Sequence, residues 1–264
     1  MLPVVKAKDW PRNGIDHFIF ARLENAGIQP APMATSQDLQ RRIHYALTGL
    51  PPSGKIENPK SLINRLMATP QYGERWARHW LDVVRYADSN GLDENAAHAN
   101  AWRYRDYVVA AFNADKPYDQ FLIEQIAGDR LPAKDAARIR ELFVATGFLS
   151  LGPKVLAEPD KMKMEMDIID EQIDTLGRAL LGLTLGCARC HDHKFDPIPT
   201  ADYYALAGIF KSTKTMESLK TIAKWHENPI ATPAEKQLRE KHAALIGARS
   251  EEHTSELQSL VNLV

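Results

Sequence analysis

The sequence predicts a mainly α fold, an irregular multi-helix bundle with long loops. Three observations favour this class. Apolar residues recur at intervals of three and four in most segments between Ile15 and Phe210, which is the spacing of one helix face. Glycine and proline lie at the ends of these segments, where they stop a helix. Strand signals are scarce, and no internal repeat is found.

The sequence pattern in the first half of the chain predicts an extended segment followed by five helices. Residues 1–13 are bounded by proline and lack helical periodicity. Ser36 is the expected N-cap of the second helix, because its hydroxyl can accept a backbone N–H of the first turn. The five helices are predicted from Ile15 to Leu23, Ser36 to Leu47, 58 to 68, 72 to 88 and Ala101 to Phe112.

Four further helices are predicted in the second half. The longest runs from Asp160 to about Gly182 and leads directly into the only two cysteines of the chain. Thr200 is the expected cap of the last of the four. The apolar face of the longest helix consists of Met166, Ile169, Ile173, Leu176 and Leu180. The other three helices are predicted over 117–127, 131–148 and 200–210.

Composition and charge limit the classes of function. Lysine plus arginine number 33 and aspartate plus glutamate 34, so no net field favours nucleic acid or an anionic membrane. No apolar run is long enough to cross a bilayer. The N-terminus lacks the basic and then apolar layout of a signal peptide, which by itself indicates a cytoplasmic protein.

The segment from Leu185 to Pro197 carries the main chemical signal. Cys187 and Cys190 are followed at once by His191, which gives the pattern C-x-x-C-H. In this spacing both thiols can form thioethers to haem vinyl groups while the adjacent imidazole binds the iron. The motif therefore predicts covalent c-type haem. Such haem is attached on the exported side of the bacterial membrane, so the motif and the N-terminus point to different compartments.

Other interpretations of the same segment stay open. A thioredoxin-like redox pair requires a βαβ context, whereas the residues upstream are predicted to be helical. A zinc half-site would lack a second cysteine pair. A divalent, non-haem metal ion could bind the imidazole and carboxylate groups of His191, Asp192, His193 and Asp196. The two cysteines could also form a disulfide that stabilises this loop.

If haem is bound, the sixth iron ligand decides its chemistry. A methionine raises the potential and suits electron transfer, a second histidine lowers it, and an open position allows small-ligand chemistry. Met166 lies on the apolar face before the motif, although buried methionines are commonly core residues. His193 is too close to His191 to reach the opposite face of the ring easily. The candidates are Met166, Met164, Met162, His79 and His193.

The aromatic and arginine-rich block at 72–88 offers a second contact for a cofactor. Trp76, Trp80, Val83 and Ala87 would share one helical face. Most such faces are simply core, but this one could also line a large planar cofactor. The arginines that could pair with haem propionates are Arg75, Arg78 and Arg85.

The alternative from a different class is a carbohydrate-associated hydrolase or binding domain. Tryptophan and tyrosine side chains would serve as sugar platforms, with Asp82, Asp88 and Asp93 as acid or base candidates. No pair of these carboxylates has a spacing that singles it out. In this alternative the cysteine segment is a metal or structural disulfide site.

Four segments resemble a domain of unknown function that is abundant in planctomycetes and related bacteria. They are residues 73–88, Trp102–Tyr107, Asp115–Asp119 and Cys187–Pro197, and they occur in the same order. The resemblance covers about residues 10 to 215. Members of that family are typically large exported proteins, with a planctomycete-type cytochrome c domain before this region and an uncharacterised domain after it.

The resemblance implies a periplasmic or otherwise exported domain whose partners are the upstream cytochrome c domain and the downstream domain of a longer protein. It implies no established reaction or substrate. From the C-x-x-C-H motif and the cytochrome context that the resemblance implies, we expect a haem-binding electron-transfer module. The expected organisation is an N-terminal segment (1–13), a helical domain (14–215), a partial linker or helix (216–248) and a non-native tail (249–264). The tail resembles a translated sequencing-library adapter, and we expect a fragment that lacks both natural ends.

Overall fold

The structure is a computed structural model that describes residues 1–7, 9–220, 222–228, 230–231 and 234–247. The predicted tail at 249–264 lies outside these residues. Ten α-helices and a two-stranded antiparallel sheet lie within them, which confirms the mainly α class. None of the described helices is both long and apolar enough to cross a membrane.

The helices occur in the order expected from the sequence. They are α1 (Gly14–Asn25), α2 (Ser36–Leu47), α3 (Pro59–Met67), α4 (Pro70–Val83), α5 (Ala101–Asn113), α6 (Tyr118–Ala127), α7 (Ala136–Ala145), α8 (Lys161–Leu176), α9 (Thr200–Lys211) and α10 (234–247). The strands are β1 (Met216–Ser218) and β2 (Lys224–Trp225). Met216 pairs with Trp225 in the sheet.

Side-chain caps fix where several helices begin. Asn13 accepts the N–H of Asp16 at 3.0 Å and starts α1. Thr35 accepts the N–H of Asp38 at 3.1 Å and starts α2, so the cap predicted at Ser36 was wrong by one residue. Either hydroxyl can cap a helix, but Thr35 has the extended backbone that an N-cap requires.

The chain divides into two units, the first of which is Met1–Leu66. Trp10 stacks on Phe20 with 5.0 Å between their ring centroids. The helical spacing of Ile15, Phe18, Ile19 and Leu23 predicts that they form the apolar face of α1. In the structure Phe20 is the buried residue of this helix, Leu23 is half-buried, and Ile15, Phe18 and Ile19 are exposed. That prediction was wrong because the N-terminal segment covers a different side of the helix, where the N–H of Lys6 donates to Glu24 at 2.9 Å.

The second unit, from Met67 onward, contains three hydrophobic clusters. The first joins α4, α5, α6 and α7 to a short 3₁₀ helix at Thr146–Leu149. The second lies between α8 and α9 and includes residues of the cysteine motif. The third packs Met164 and Ile168 of α8 against Leu156 and Ala223, beside the sheet. Helix α8 therefore contributes to two of the three clusters.

The buried face of α4 agrees only in part with the predicted one. Trp80 packs against the first cluster, but Ala77 is fully buried and Trp76 and Val83 are exposed. The face is displaced by one position because Gly73 and Ala77 allow α5 to approach closely. The helix ends at Val83, and Arg85 then adopts a positive φ of 56° that turns the chain away.

A buried cluster of ionised groups joins α5, α6 and α7. Glu124 of α6 is fully buried and accepts hydrogen bonds from Lys116 at 2.6 Å, from Tyr107 at 2.9 Å and from Arg138. Glu141 bridges the same lysine and arginine. Burial alone would raise the pKa of Glu124, but the three hydrogen bonds outweigh it and lower the pKa to about 2.

Candidate functional site

Helix α8 carries the chain to the cysteine motif through an irregular turn. Its last turn widens into a π-helical segment at Gly177–Leu181, and Gly182 adopts a left-handed φ of 66°. A 3₁₀ helix at Leu185–Arg189 follows and holds the first cysteine. A Cβ on Gly177 would lie 2.6 Å from the side chain of Leu185, so this position needs glycine.

Apolar residues of the motif face the core while the cysteines face solvent. Leu185 and Ala188 are buried in the cluster between α8 and α9. Cys187 and Cys190 are exposed, and both are free thiols. The 3₁₀ helix is therefore anchored by its apolar side chains, and Cys187 within it and Cys190 directly after it are both at the surface.

Arg189, which lies between the two cysteines, joins the motif to α8. Its guanidinium is 2.8 Å from Asp167 and 3.4 Å from Asp170. The hydroxyl of Tyr203 on α9 donates to Asp170 at 2.5 Å, and that of Tyr204 donates to the Arg189 carbonyl at 3.2 Å. Burial, together with the hydrogen bond to Asp170, raises the pKa of Tyr203. The motif is thus held by polar contacts from two helices.

His191 is exposed and has a defined proton position. Its Nδ1 lies 2.8 Å from the carbonyl oxygen of Asp192. Because a carbonyl oxygen can only accept, Nδ1 is the donor, and in the neutral imidazole the lone pair then lies on Nε2. The Asp192 carboxylate in turn accepts the N–H of Thr200, at 2.8 Å, at the start of α9. Asp192, whose carbonyl oxygen contacts the imidazole, is therefore itself held in place by α9.

His193 and Asp196, both predicted metal candidates, hold the loop together. The His193 side chain is 6 % exposed. Its Nε2 is 3.0 Å from the Thr184 hydroxyl, and its Nδ1 is 2.9 Å from the backbone nitrogen of Asp196 and 3.2 Å from the Asp196 carboxylate. Both imidazole nitrogens of His193 are therefore engaged within the loop.

The remaining candidates for a sixth iron ligand lie in different surroundings. Met166 is half-buried and packs against the cluster that contains Leu185 and Ala188. Met164 is fully buried in the separate cluster around Leu156. Met162 and His79 are exposed, the latter on α4 with its ring 5.3 Å from that of Trp76.

The donor set fits haem better than it fits a free metal ion. Among the residues that the structure describes, no group of three or more His, Cys, Asp and Glu side chains is arranged to hold a metal ion. Haem needs no such convergence, because one imidazole binds the iron while the thioethers lie at the edge of the porphyrin. Exposed thiols at Cys187 and Cys190 beside a lone-pair nitrogen on His191 match that chemistry.

The arginines predicted to meet propionates are placed on or just after α4. Arg85 pairs with Glu171 of α8 at 2.8 Å and also donates to Thr175. Its guanidinium thus connects the end of α4 to α8. Arg75 is half-buried and Arg78 is exposed.

The carboxylates proposed for sugar chemistry are placed separately along the chain. Asp93 accepts the N–H groups of Leu156 and Ala157, and although burial acts to raise its pKa, these bonds lower it. Asp88 accepts the hydroxyl of Tyr86 at 2.6 Å. Asp82 is exposed on α4. The contact of Asp88 is local, whereas Asp93 joins its loop to the distant backbone of Leu156 and Ala157.

The residues that support the motif were not predicted from the sequence. Asp167, Asp170, Tyr203 and Arg189 form one hydrogen-bonded set across α8, the motif and α9. The signal was available, because two aspartates three residues apart lie on one side of a helix. They lie off its apolar face and lead toward an arginine-containing motif.

Comparison with other proteins gives a family. No curated protein and no solved structure matches the chain. Residues 14–215 match one family model, PSCyt2, which is described as a protein of unknown function (DUF1549). The match includes helices α1 to α9 and the whole cysteine motif. Since it covers most of the chain, the protein belongs to the PSCyt2 family of proteins of unknown function (DUF1549).

Proposed function

We propose that this domain carries a covalently attached c-type haem and acts as an electron-transfer module of an exported protein. One observation carries the proposal. An anchored 3₁₀ helix and the residue that follows it expose two free cysteines beside an exposed imidazole whose Nδ1 is the donor to a carbonyl, which leaves Nε2 for a ligand. These are the three groups that thioether attachment and axial ligation require.

Attachment uses Cys187 and Cys190 as thiols. Each cysteine would hold the haem by one thioether bond, formed by addition of its S–H across a vinyl group. Because both cysteines are exposed, an attachment enzyme could reach them. The buried neighbours Leu185 and Ala188 keep the backbone in place while this happens.

His191 supplies the axial nitrogen. The hydrogen bond from Nδ1 to the Asp192 carbonyl fixes the ring orientation and increases the electron density on Nε2. When bound, the haem supplies reversible one-electron transfer at a potential that its ligands set. Both nitrogens of His193 are engaged within the loop, which supports a proposed role for this histidine in holding the loop rather than in binding the iron.

Apolar cover for the porphyrin is available beside the motif. Leu181 is 58 % exposed and Phe195 is 83 % exposed. Leu181 precedes the two cysteines in the sequence and Phe195 follows them, so each offers apolar surface near the motif. We infer that they contact the haem, which would remove their apolar surface from water.

The test is a denaturing gel stained for haem peroxidase activity. The full chain is exported from cells that carry the c-type haem attachment machinery, beside Cys187→Ala/Cys190→Ala and His191→Ala variants. We expect a stained band for the original chain and none for the double variant. His191→Ala should change the absorption spectrum of any haem it retains.

A folded, exported chain without stain would overturn the proposal. Metal analysis of that same sample then decides between the two other interpretations of the segment. A stoichiometric divalent ion lost in the double variant indicates a metal site. Loss of free thiols without metal indicates a disulfide between Cys187 and Cys190.

A further inference from the structure

An open pocket of about 570 Å³ lies in the second unit, and no residue of the cysteine motif lines it. Its volume lies within the range of small-ligand sites. Tyr104, Val144 and Leu151 supply apolar surface, and Trp225 of β2 supplies an aromatic wall. The pocket therefore has room and apolar surface for one ring compound.

Cations without carboxylate partners surround this pocket. Arg103, Lys236 and Arg239 line it, and Glu227 is the acidic residue among its described lining. In the part of the chain that the structure describes, no carboxylate forms an ion pair with any of the three cations. The chain as a whole has a net charge of −1, so this local excess of positive charge is a feature of the pocket.

The aromatic wall is held in place before any ligand binds. The indole N–H of Trp225 donates to the Ser150 carbonyl at 3.1 Å. The ring of His98 packs edge-on against Trp225 at 4.7 Å between centroids. Burial, with a smaller contribution from Lys154, lowers the pKa of His98, so this ring forms part of a neutral wall.

We propose that this pocket binds a small organic anion that has a flat ring body and one carboxylate, sulfonate or phosphate group. The ring would pack on Trp225 and the apolar surface, and the anionic group would meet Arg103, Lys236 or Arg239. A neutral ring compound would leave the cations unused, and inorganic phosphate would leave the apolar surface unused. The site is independent of the proposed haem.

Binding of matched probes to the full chain tests both parts of the proposal. Calorimetry with naphthalene-2-sulfonate, naphthalene-2-carboxylate and the neutral naphthalene-2-methanol compares anionic and neutral ligands on the same ring. We expect both anions to bind about tenfold or more tightly than the alcohol, because a charge-assisted hydrogen bond provides that difference. Added salt should weaken binding of the anions only.

Two variants locate the binding to the pocket. Arg239→Gln removes one rim charge, and we expect it to weaken anion binding about tenfold. Arg41→Gln, in the first unit, is the matched control and should leave binding unchanged. Trp225→Leu should weaken binding of all three naphthalene compounds, with circular dichroism confirming its fold.

Three results would overturn the proposal. Equal affinity for the alcohol and the anions would show that the cations do not recognise the ligand. Competition by inorganic phosphate at the same concentrations as the naphthalene anions would indicate a plain anion site without a ring subsite. Unchanged affinity when Arg103, Lys236 and Arg239 are all changed to Gln, in a chain that folds as the original does, would place the binding elsewhere.

Discussion

The two polar clusters of the second unit are organised in opposite ways. In the cluster of α5, α6 and α7, Glu124 is fully buried and its carboxylate is saturated by Lys116, Arg138 and Tyr107. Around the cysteine motif, the supporting groups are paired, but Cys187, Cys190 and His191 are exposed at the surface.

This difference distinguishes residues that stabilise the fold from residues that are available to a ligand. A cluster that satisfies all of its charges internally has no group left for a ligand, so its residues serve stability. A motif that anchors its apolar residues and leaves thiols and a nitrogen lone pair exposed is prepared for a reaction or a ligand. Mutations should therefore affect stability strongly in the first region and chemistry strongly in the second.

Removing the central carboxylate should have the largest effect on stability. Glu124→Gln leaves Lys116 and Arg138 without their buried counter-charge, and we expect the free energy of unfolding to fall by about 3 to 5 kcal/mol. Urea denaturation measures this. Glu57→Gln, in the exposed pair with Arg65, is the control and should cost at most about 1 kcal/mol. Similar losses in the two variants would contradict the comparison.

The carboxylate of Glu124 should also make the stability of the fold depend on pH under acidic conditions. The pKa of Glu124 in the folded protein, about 2, is below its ordinary value of 4.5. Its contribution is therefore present above pH 4.5 and is lost as the pH falls from 4.5 through 2. Urea midpoints measured across this range should fall more steeply for the original chain than for Glu124→Gln. Parallel profiles would exclude Glu124 as a source of acid sensitivity.

Two glycine variants compare the packing of the motif with that of its surroundings. Gly177→Ala places a Cβ 2.6 Å from Leu185, so we expect a loss of about 1 to 3 kcal/mol. In Gly208→Ala on α9 the new Cβ meets no atom within 4 Å, and we expect a gain of about 0.5 to 1 kcal/mol. Thermal or urea unfolding distinguishes the two. A stabilising Gly177→Ala would show that the packing is not tight there.

The sequence predicted the elements better than the faces that they bury. Helix order and approximate bounds were correct because apolar spacing and glycine or proline stops are local signals. The buried faces of α1 and α4 were wrong in part because the covering partner, an N-terminal segment in one case and α5 in the other, is set by tertiary packing. Composition and spacing do not reveal that partner.

The candidate site shows the same limit. The C-x-x-C-H spacing alone was enough to select Cys187, Cys190 and His191 as candidates for a site. The engagement of His193 with Thr184 and Asp196 could not, because it depends on how the loop folds back on itself. The Arg189 network likewise depends on contacts from α8 and α9 that no local pattern encodes.

The two histidines of the motif should differ in their effect on stability. His193→Ala removes hydrogen bonds to Thr184 and Asp196 inside the loop, and we expect a loss of about 1 to 2 kcal/mol. His191→Ala changes an exposed side chain and should alter stability by less than about 0.5 kcal/mol. Both are measured by urea denaturation of the chain without haem. The reverse order would assign the structural role to His191.

Replacing Cys187 and Cys190 should have the smallest effect on stability and the largest effect on haem attachment. Cys187→Ser/Cys190→Ser replaces two exposed, free thiols, so the free energy of unfolding without haem should change by less than about 0.5 kcal/mol. The same variant should abolish haem staining after export. A large loss of stability would instead indicate that the thiols support the fold, through a disulfide or a metal ion. In that case the motif would belong with the Glu124 cluster as a structural element, because its cysteines would stabilise the fold directly.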